Sequence, residues 1–159
     1  KYVGRVAELL QARGIHVLLE TAGHFSWPPF AKHLLERLDT IYFDLKLADS
    51  ALHKKYVGPD NKRILENLAR LVEQGFSELL VRIPLIPEIT ATEENLMALG
   101  KILEKHGQKR VALLAYNPLW LQKRRALGLS MDYTHDRFMS AVQLEACRRI
   151  FTKRGIAVV

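Results

Sequence analysis

Asp44 and Lys46 stand two residues apart in Thr40–Leu47, T-I-Y-F-D-L-K-L. In an extended chain Ile41, Phe43, Leu45 and Leu47 point to one side, and Tyr42, Asp44 and Lys46 to the other. A stretch so rich in apolar, β-branched and aromatic residues reads as a strand buried on both faces. A carboxylate and an ammonium on a buried face are costly unless they meet partners or a ligand. The pattern recurs in L-L-V-R-I-P-L-I at 79–86, where Leu80, Arg82 and Pro84 share a face. Glu20 with Thr21, and Tyr116 with Asn117, stand at the ends of two further apolar runs. These strand ends offer two acids, two bases and several hydrogen-bonding groups. Such a set suits a small zwitterion with hydroxyls: cations for its carboxylate, anions for its ammonium or for a bound metal cation. The same charges could instead pair internally, Asp44 with Lys46 and Glu20 with Arg82, and spacing leaves both readings open.

The elements that must position these residues alternate along the chain. Val3, Val6, Leu9 and Leu10 form one helical face, which Gly14 closes. A strand is expected over Ile15–Glu20, then a turn at Thr21-Ala22-Gly23. Ser26 heads a helix with Pro28 and Pro29 near its first turn and Leu34, Leu35 and Leu38 on its apolar side. After the Thr40–Leu47 strand, Asp49 or Ser50 starts a short helix ending near Gly58. Asp60 heads a longer one through Ile64, Leu65, Leu68, Leu71 and Val72 to Gly75. Thr90-x-x-Glu93 fits a capping box for a helix carrying Leu96, Leu99, Ile102 and Leu103 and closed by Gly107. A strand over Arg110–Tyr116 leads to a long loop, Asn117–His135. A last helix carries Val142, Leu144, Cys147, Ile150 and Phe151 to Gly155, and Ile156–Val159 reads as a strand cut short.

Helices between apolar strands imply right-handed β-α-β crossovers and a parallel sheet, hence an α/β fold. A doubly wound sheet and part of a β/α barrel both fit. The polar strand faces favour the barrel, whose lumen can hold them, whereas a doubly wound sheet is covered by helices on both sides. In both, ligands bind at the C-terminal ends of the strands.

The 159 residues suffice for one domain, 1–159, and no low-complexity linker divides them. No apolar run approaches the roughly 20 residues that span a bilayer. The single cysteine, Cys147, rules out an internal disulfide, fits a reducing cytoplasmic compartment and reads as a small buried hydrophobe. The net charge of +7 is spread over helices rather than gathered in Arg/Lys runs with aromatics, so nucleic acid is not expected. The histidines, at 16, 24, 33, 53, 106 and 135, show no metal-binding spacing. His16 reads as a strand-edge residue and the others as surface residues, His24 at the mouth. Phe25 and Trp27 flank that mouth as packing.

L-E-T-A-G at 19–23, F-D-L-K at 43–46, V-R-I-P-L-I-P at 81–87, T-E-E-N-L at 92–96 and L-L-A-Y-N-P-L at 113–119 follow one another in order. Together they resemble the glycyl-radical-enzyme activating enzymes, the pyruvate formate-lyase activase group of radical S-adenosylmethionine proteins. The resemblance implies a partial, TIM-like (β/α)6 barrel in which a [4Fe-4S] cluster reductively cleaves S-adenosylmethionine. The resulting deoxyadenosyl radical takes a hydrogen from a glycine of a partner glycyl-radical enzyme such as pyruvate formate-lyase. A flavodoxin or ferredoxin would donate the electron. Lys46 is similar to the family lysine that contacts S-adenosylmethionine, and Arg82 to the arginine near its carboxylate. Glu20, Thr21, Asp44 and the Tyr42 carbonyl match a monovalent-cation site beside it. Asn117 stands where many members have a histidine, and its amide could bond a ribose hydroxyl.

The family's C-x-x-x-C-x-x-C cluster motif and G-G-E-P motif do not occur in this sequence. Lys1 would then lie in the helix after G-G-E-P, and the chain would be the C-terminal part of an activase, with the first strands missing. It would carry half of the S-adenosylmethionine site, no catalytic residue and no iron-sulfur ligands. By itself it would be inactive and free of cluster, and it would self-associate through the exposed edge at Ile15–Glu20. The basic loop residues Lys123, Arg124 and Arg125 would contact the partner enzyme. Two rival functions remain: a β/α-barrel lyase or aldolase with Lys46 as a Schiff-base nucleophile, and a non-enzymatic basic binding module.

Overall fold

A computed structural model describes residues 1–130 and 132–159. Met131, inside the segment read as a long loop, lies outside the described residues. The elements run α1 (Tyr2–Gln11), β1 (Leu18–Thr21), α2 (Trp27–His33), a 3-10 turn (Leu35–Arg37), β2 (Thr40–Asp44), α3 (Ser50–Val57) and α4 (Lys62–Glu73). There follow β3 (Leu79–Pro84), α5 (Glu93–Lys105), β4 (Arg110–Leu114), α6 (Leu119–Ala126), α7 (Ala141–Thr152) and β5 (Ala157–Val158). Among the described residues the strands form one parallel sheet in the order β1-β2-β3-β4-β5. A doubly wound sheet requires the strand order to reverse, whereas unbroken sequential order is that of a barrel wall. The sheet ends at β1 and β5, so the barrel is partial.

Sequential crossovers of one hand put the helices on one side of the sheet. On that side Ile41, Phe43, Val81, Ile83 and Val111 are fully buried, packed with Leu68, Leu71, Leu96, Leu99, Leu103 and Phe151 from the helices. The alternate residues Tyr42, Asp44, Leu80, Arg82 and Pro84 are half-buried. The expectation of burial on both faces therefore holds for one face. The second faces an open half-lumen, where no opposing strands among the described residues cover it.

Strands are shorter than the apolar runs suggest, but pairing continues beyond them: the Leu45 N–H reaches the Arg82 carbonyl and the Leu85 N–H the Leu114 carbonyl, both at 2.9 Å. The apolar stripe read on α1 is not the packed one. Val3, Val6 and Leu9 are exposed while Gly4 and Ala7 are buried. Gly4 lets the helix lie directly on the α2 backbone, since a Cβ there would sit 2.2 Å from the His33 carbonyl oxygen. Likewise Val142 is exposed on α7 although Cys147 and Phe151 are buried. The segment 117–135 is not a plain loop: it contains α6, begun by Asn117 Oδ1 accepting the Leu119 N–H at 2.9 Å. Thr92, not Thr90, caps α5, accepting the Asn95 N–H at 3.2 Å. Thr90 is otherwise engaged: its hydroxyl accepts the Ile86 N–H and donates to the Pro84 carbonyl. His53 is buried rather than on the surface, and its Nδ1 lies 2.8 Å from the Pro59 carbonyl.

Candidate functional site

Strand register assembles the charged residues. Asp44 on β2 lies opposite Arg82 on β3, and Glu20 on β1 lies opposite Tyr42. Alternation turns all four toward the open face, and Lys46 follows Asp44 two residues beyond. Arg82 is the centre. Its Nε donates to Asp44 Oδ1 at 2.9 Å, and its Nη1 and Nη2 donate to the two Glu20 oxygens at 2.8 and 3.0 Å. The guanidinium carbon lies 5.1 Å from the centre of the Tyr42 ring. Lys46 Nζ stands 3.8 Å from Asp44 Oδ2, too far for a good hydrogen bond. The internal ion pairs that spacing left open are thus formed, with Arg82 bridging both acids.

The pairs differ in worth. The Arg82 and Asp44 side chains are 13% and 21% exposed, whereas Glu20 is 58% exposed. Hydrogen bonds donated to Glu20 and then to Asp44 hold the Arg82 guanidinium above its ordinary range, against the opposing effect of burial. The Arg82 hydrogen bond holds the Glu20 carboxyl below its ordinary 4.5, partly offset by desolvation. Solvent screens Glu20, so Asp44 is the firmer partner. Two acids and two bases leave the array formally neutral, so it can admit a zwitterion without building up charge. Each Arg82 terminal nitrogen keeps a second hydrogen, and Lys46 has no closely bonded partner among the described residues.

Lys46 also lines a cleft of about 520 Å³. Leu47, Tyr56 and Val57 form one wall, Ile86, Ile89 and Thr90 another, and Trp120, Arg124 and Tyr133 close the α6 side. Trp120 and Tyr133 stack at 6.4 Å with 8° between their planes. The Tyr133 hydroxyl donates to the Pro87 carbonyl at 3.0 Å, and burial first, then Tyr116 and Glu88, push its pKa up to about 12.

Other expected site residues lie apart from this array. Thr21 Oγ1 accepts the Gly23 N–H at 3.1 Å, in the turn after β1. Asn117 is exposed, its side chain engaged at the start of α6. Tyr116 is buried, accepting from Trp120 Nε1 and donating to the His135 carbonyl. His24 is exposed beside Lys54, Lys62 and Arg63. Phe25 and Trp27 pack on Phe30, with Arg70 over the indole. Cys147 is buried on α7, which pushes its thiol pKa up. Sequence reading passed over Asn61, Asn67 and Asn95, all buried and all bonded to loops at the strand ends. The available signal was an amide set among the apolar positions of a helix.

Comparison with known proteins agrees with this architecture. The profile of the Radical SAM superfamily matches residues 1–100. The chain is 33% identical over 118 residues to the (2S)-3-sulfopropanediol sulfolyase activating enzyme of Bilophila wadsworthia, a match covering 73% of the chain and 38% of that protein. It is 29% identical over 167 residues to the (2S)-3-sulfopropanediol dehydratase activating enzyme of Klebsiella oxytoca, covering 100% of the chain and 51% of that protein. The chain therefore spans about half or less of the length of these relatives. Its fold matches the crystal structure of a domain of pyruvate-formate lyase-activating enzyme from Bacteroides vulgatus with a TM-score of 0.78 at 22% identity, over 99% of this chain and 88% of that one. A sequentially ordered parallel half-barrel, a charged array at its strand ends and a profile match over most of its length together place this chain in the radical SAM superfamily.

Proposed function

We propose that this chain forms the C-terminal part of the barrel of a glycyl-radical-enzyme activating enzyme, and that its charged array binds S-adenosylmethionine. The observation that carries the reading is the neutral Glu20–Arg82–Asp44–Lys46 array across three adjacent strand ends, in a radical SAM chain whose relatives are named activating enzymes. The donor set fits the ligand. The Lys46 ammonium and the second Nη hydrogens of Arg82 meet its carboxylate. Asp44 and Glu20 face its ammonium, and with Thr21 and the Tyr42 carbonyl they could share a monovalent cation. The Asn117 amide nitrogen, whose companion oxygen is held by the Leu119 N–H, would donate to a ribose hydroxyl. When bound, S-adenosylmethionine would supply hydrogen-atom abstraction from glycine, taking one electron from the donor as a C–S bond breaks and methionine leaves.

A [4Fe-4S] cluster does not fit this chain. Such clusters need several protein thiolates, and Cys147 stands alone and buried on α7. The partner is the glycine-bearing segment of a glycyl-radical enzyme, pyruvate formate-lyase being one candidate, in the cytoplasm, with flavodoxin or ferredoxin as electron donor. The basic last turn of α6, with Lys123, Arg124 and Arg125, contacts that partner; charge reversal at all three should weaken binding, and unchanged binding would remove this contact. The edge at β1 supports self-association of the 159-residue chain, since Ile15 and Leu18 are exposed. A monodisperse monomer by light scattering at high concentration would count against it.

The decisive test uses the complete polypeptide that carries this chain. It is purified without oxygen, assayed for iron and sulfide, then given dithionite and S-adenosylmethionine. Cluster together with 5′-deoxyadenosine is expected. Their absence would overturn the activating-enzyme reading and leave Lys46 and Arg82 as a carboxylate or carbonyl site.

A further inference from the structure

Three buried asparagines surround the charged array without belonging to it, and each bonds the backbone of a loop that carries it. Asn67 on α4 donates to the Gly23 and Phe25 carbonyls, both at 2.8 Å, after β1. Asn61, at the head of α4, donates to the Leu47 and Ala48 carbonyls at 3.0 and 2.7 Å, after β2. Asn95, in the first turn of α5, joins two loops. Its Oδ1 accepts the Ala48 N–H at 2.9 Å, while its Nδ2 donates to the Lys46 carbonyl at 3.0 Å and to the Thr90 carbonyl at 2.8 Å. Both donors and the acceptor of the amide are used, and one N–H and two carbonyls as partners allow a single orientation.

Lys46 needs such support. Its ammonium has a 3.8 Å ion pair and no close hydrogen bond among the described residues, so its backbone sets where it stands. That backbone has left the strand, since β2 ends at Asp44. The Thr90 turn to which Asn95 ties it is itself anchored to β3, the strand of Arg82, through the Thr90 hydroxyl on Pro84 and Ile86.

We propose that Asn95 is a positioning residue for Lys46: its amide locks the Lys46–Ala48 backbone to the Thr90 turn and so fixes where the Lys46 ammonium meets the carboxylate of S-adenosylmethionine. This rests on the reading of Lys46 given under the proposed function. A substitution that breaks the amide loosens the ammonium without touching the ligand.

The test is a double-mutant cycle in the complete cluster-loaded protein, with S-adenosylmethionine affinity read by calorimetry and loop order by hydrogen exchange. Asn95→Ser should raise the dissociation constant about tenfold, which corresponds to ~1.4 kcal/mol, and speed amide exchange over residues 45–50 while leaving 79–84 unchanged. In a Lys46→Met background the same change should alter affinity less than about twofold, because the group it positions is gone. An equal loss of affinity with and without Lys46 would overturn the proposal, as would unchanged exchange over 45–50. Lys46→Met alone without effect on affinity would instead remove the reading of Lys46 as a ligand contact, and the proposal with it. Should the serine variant fail to fold, Asn95→Gln keeps the amide but displaces it by one methylene, and the same cycle applies.

Discussion

The two faces of one sheet behave as different materials. Ile41, Phe43, Val81 and Ile83 alternate with Tyr42, Asp44, Arg82 and Pro84 along the same two strands. The first set is fully buried under helices; the second is half-open and holds the charged array. Stability and binding are thus separated by one residue of register, because alternation gives neighbouring side chains to opposite environments. Substitutions on the packed face should unfold the protein, and those on the open face should change what it binds.

The largest effect should come from Phe43→Ala. The ring is fully buried beneath the Gly23 turn, and its loss should cost about 3–5 kcal/mol in urea unfolding. Gly23→Ala probes the same contact from the other side: a Cβ would lie 2.2 Å from the Phe43 ring at a φ of +76°. It should destabilise by at least ~1 kcal/mol, since residues with a side chain resist positive φ and the ring must move. A mild effect in both variants would break the contrast between the faces.

Asp44→Asn comes next. It leaves Arg82 with a weakened partner on a half-buried face and should cost about 1–3 kcal/mol. Arg82→Met sharpens the comparison: it leaves the half-buried Asp44 carboxylate without its partner, so it should cost about 1–3 kcal/mol in stability while abolishing ligand affinity. A larger loss of stability in Arg82→Met would show that the array holds the fold rather than serving a site. Thr92→Ala, which removes the α5 cap, should cost about 1 kcal/mol in urea unfolding.

The smallest effect belongs to Glu20. Its folded pKa lies below 4.5, so its bond to Arg82 stabilises the protein above that pH and is lost as the pH falls through the folded value. Glu20→Gln should therefore flatten the acid limb of stability measured by urea midpoints between about pH 3 and 6. An unchanged acid limb would mean that solvent screening has removed the interaction altogether.

Much of this was legible in order along the chain. Alternating apolar runs marked the strands, glycines marked the helix ends (Gly14, Gly75, Gly107 and Gly155 all take positive φ), and Asp49 caps the helix it heads. The polar face of Tyr42, Asp44 and Lys46 and the face of Arg82 were visible as period-two patterns. These features are local: they depend on residues a few positions apart, and the backbone geometry of an isolated segment already expresses them.

Long-range pairing was not legible in that way. The Glu20–Arg82 pair was only one of two open readings, and the bond of Arg82 to Asp44 across 38 positions was not among them; strand register makes that choice. Asn95 reaches Lys46 across 49 positions. The packed side of α1 is set by the close approach of Gly4 to α2, not by its own stripe of valines and leucines. A segment's pattern states which of its side chains want burial or a partner. Which partner each one finds follows from the order and register in which distant segments are packed, and that information is spread over the whole chain.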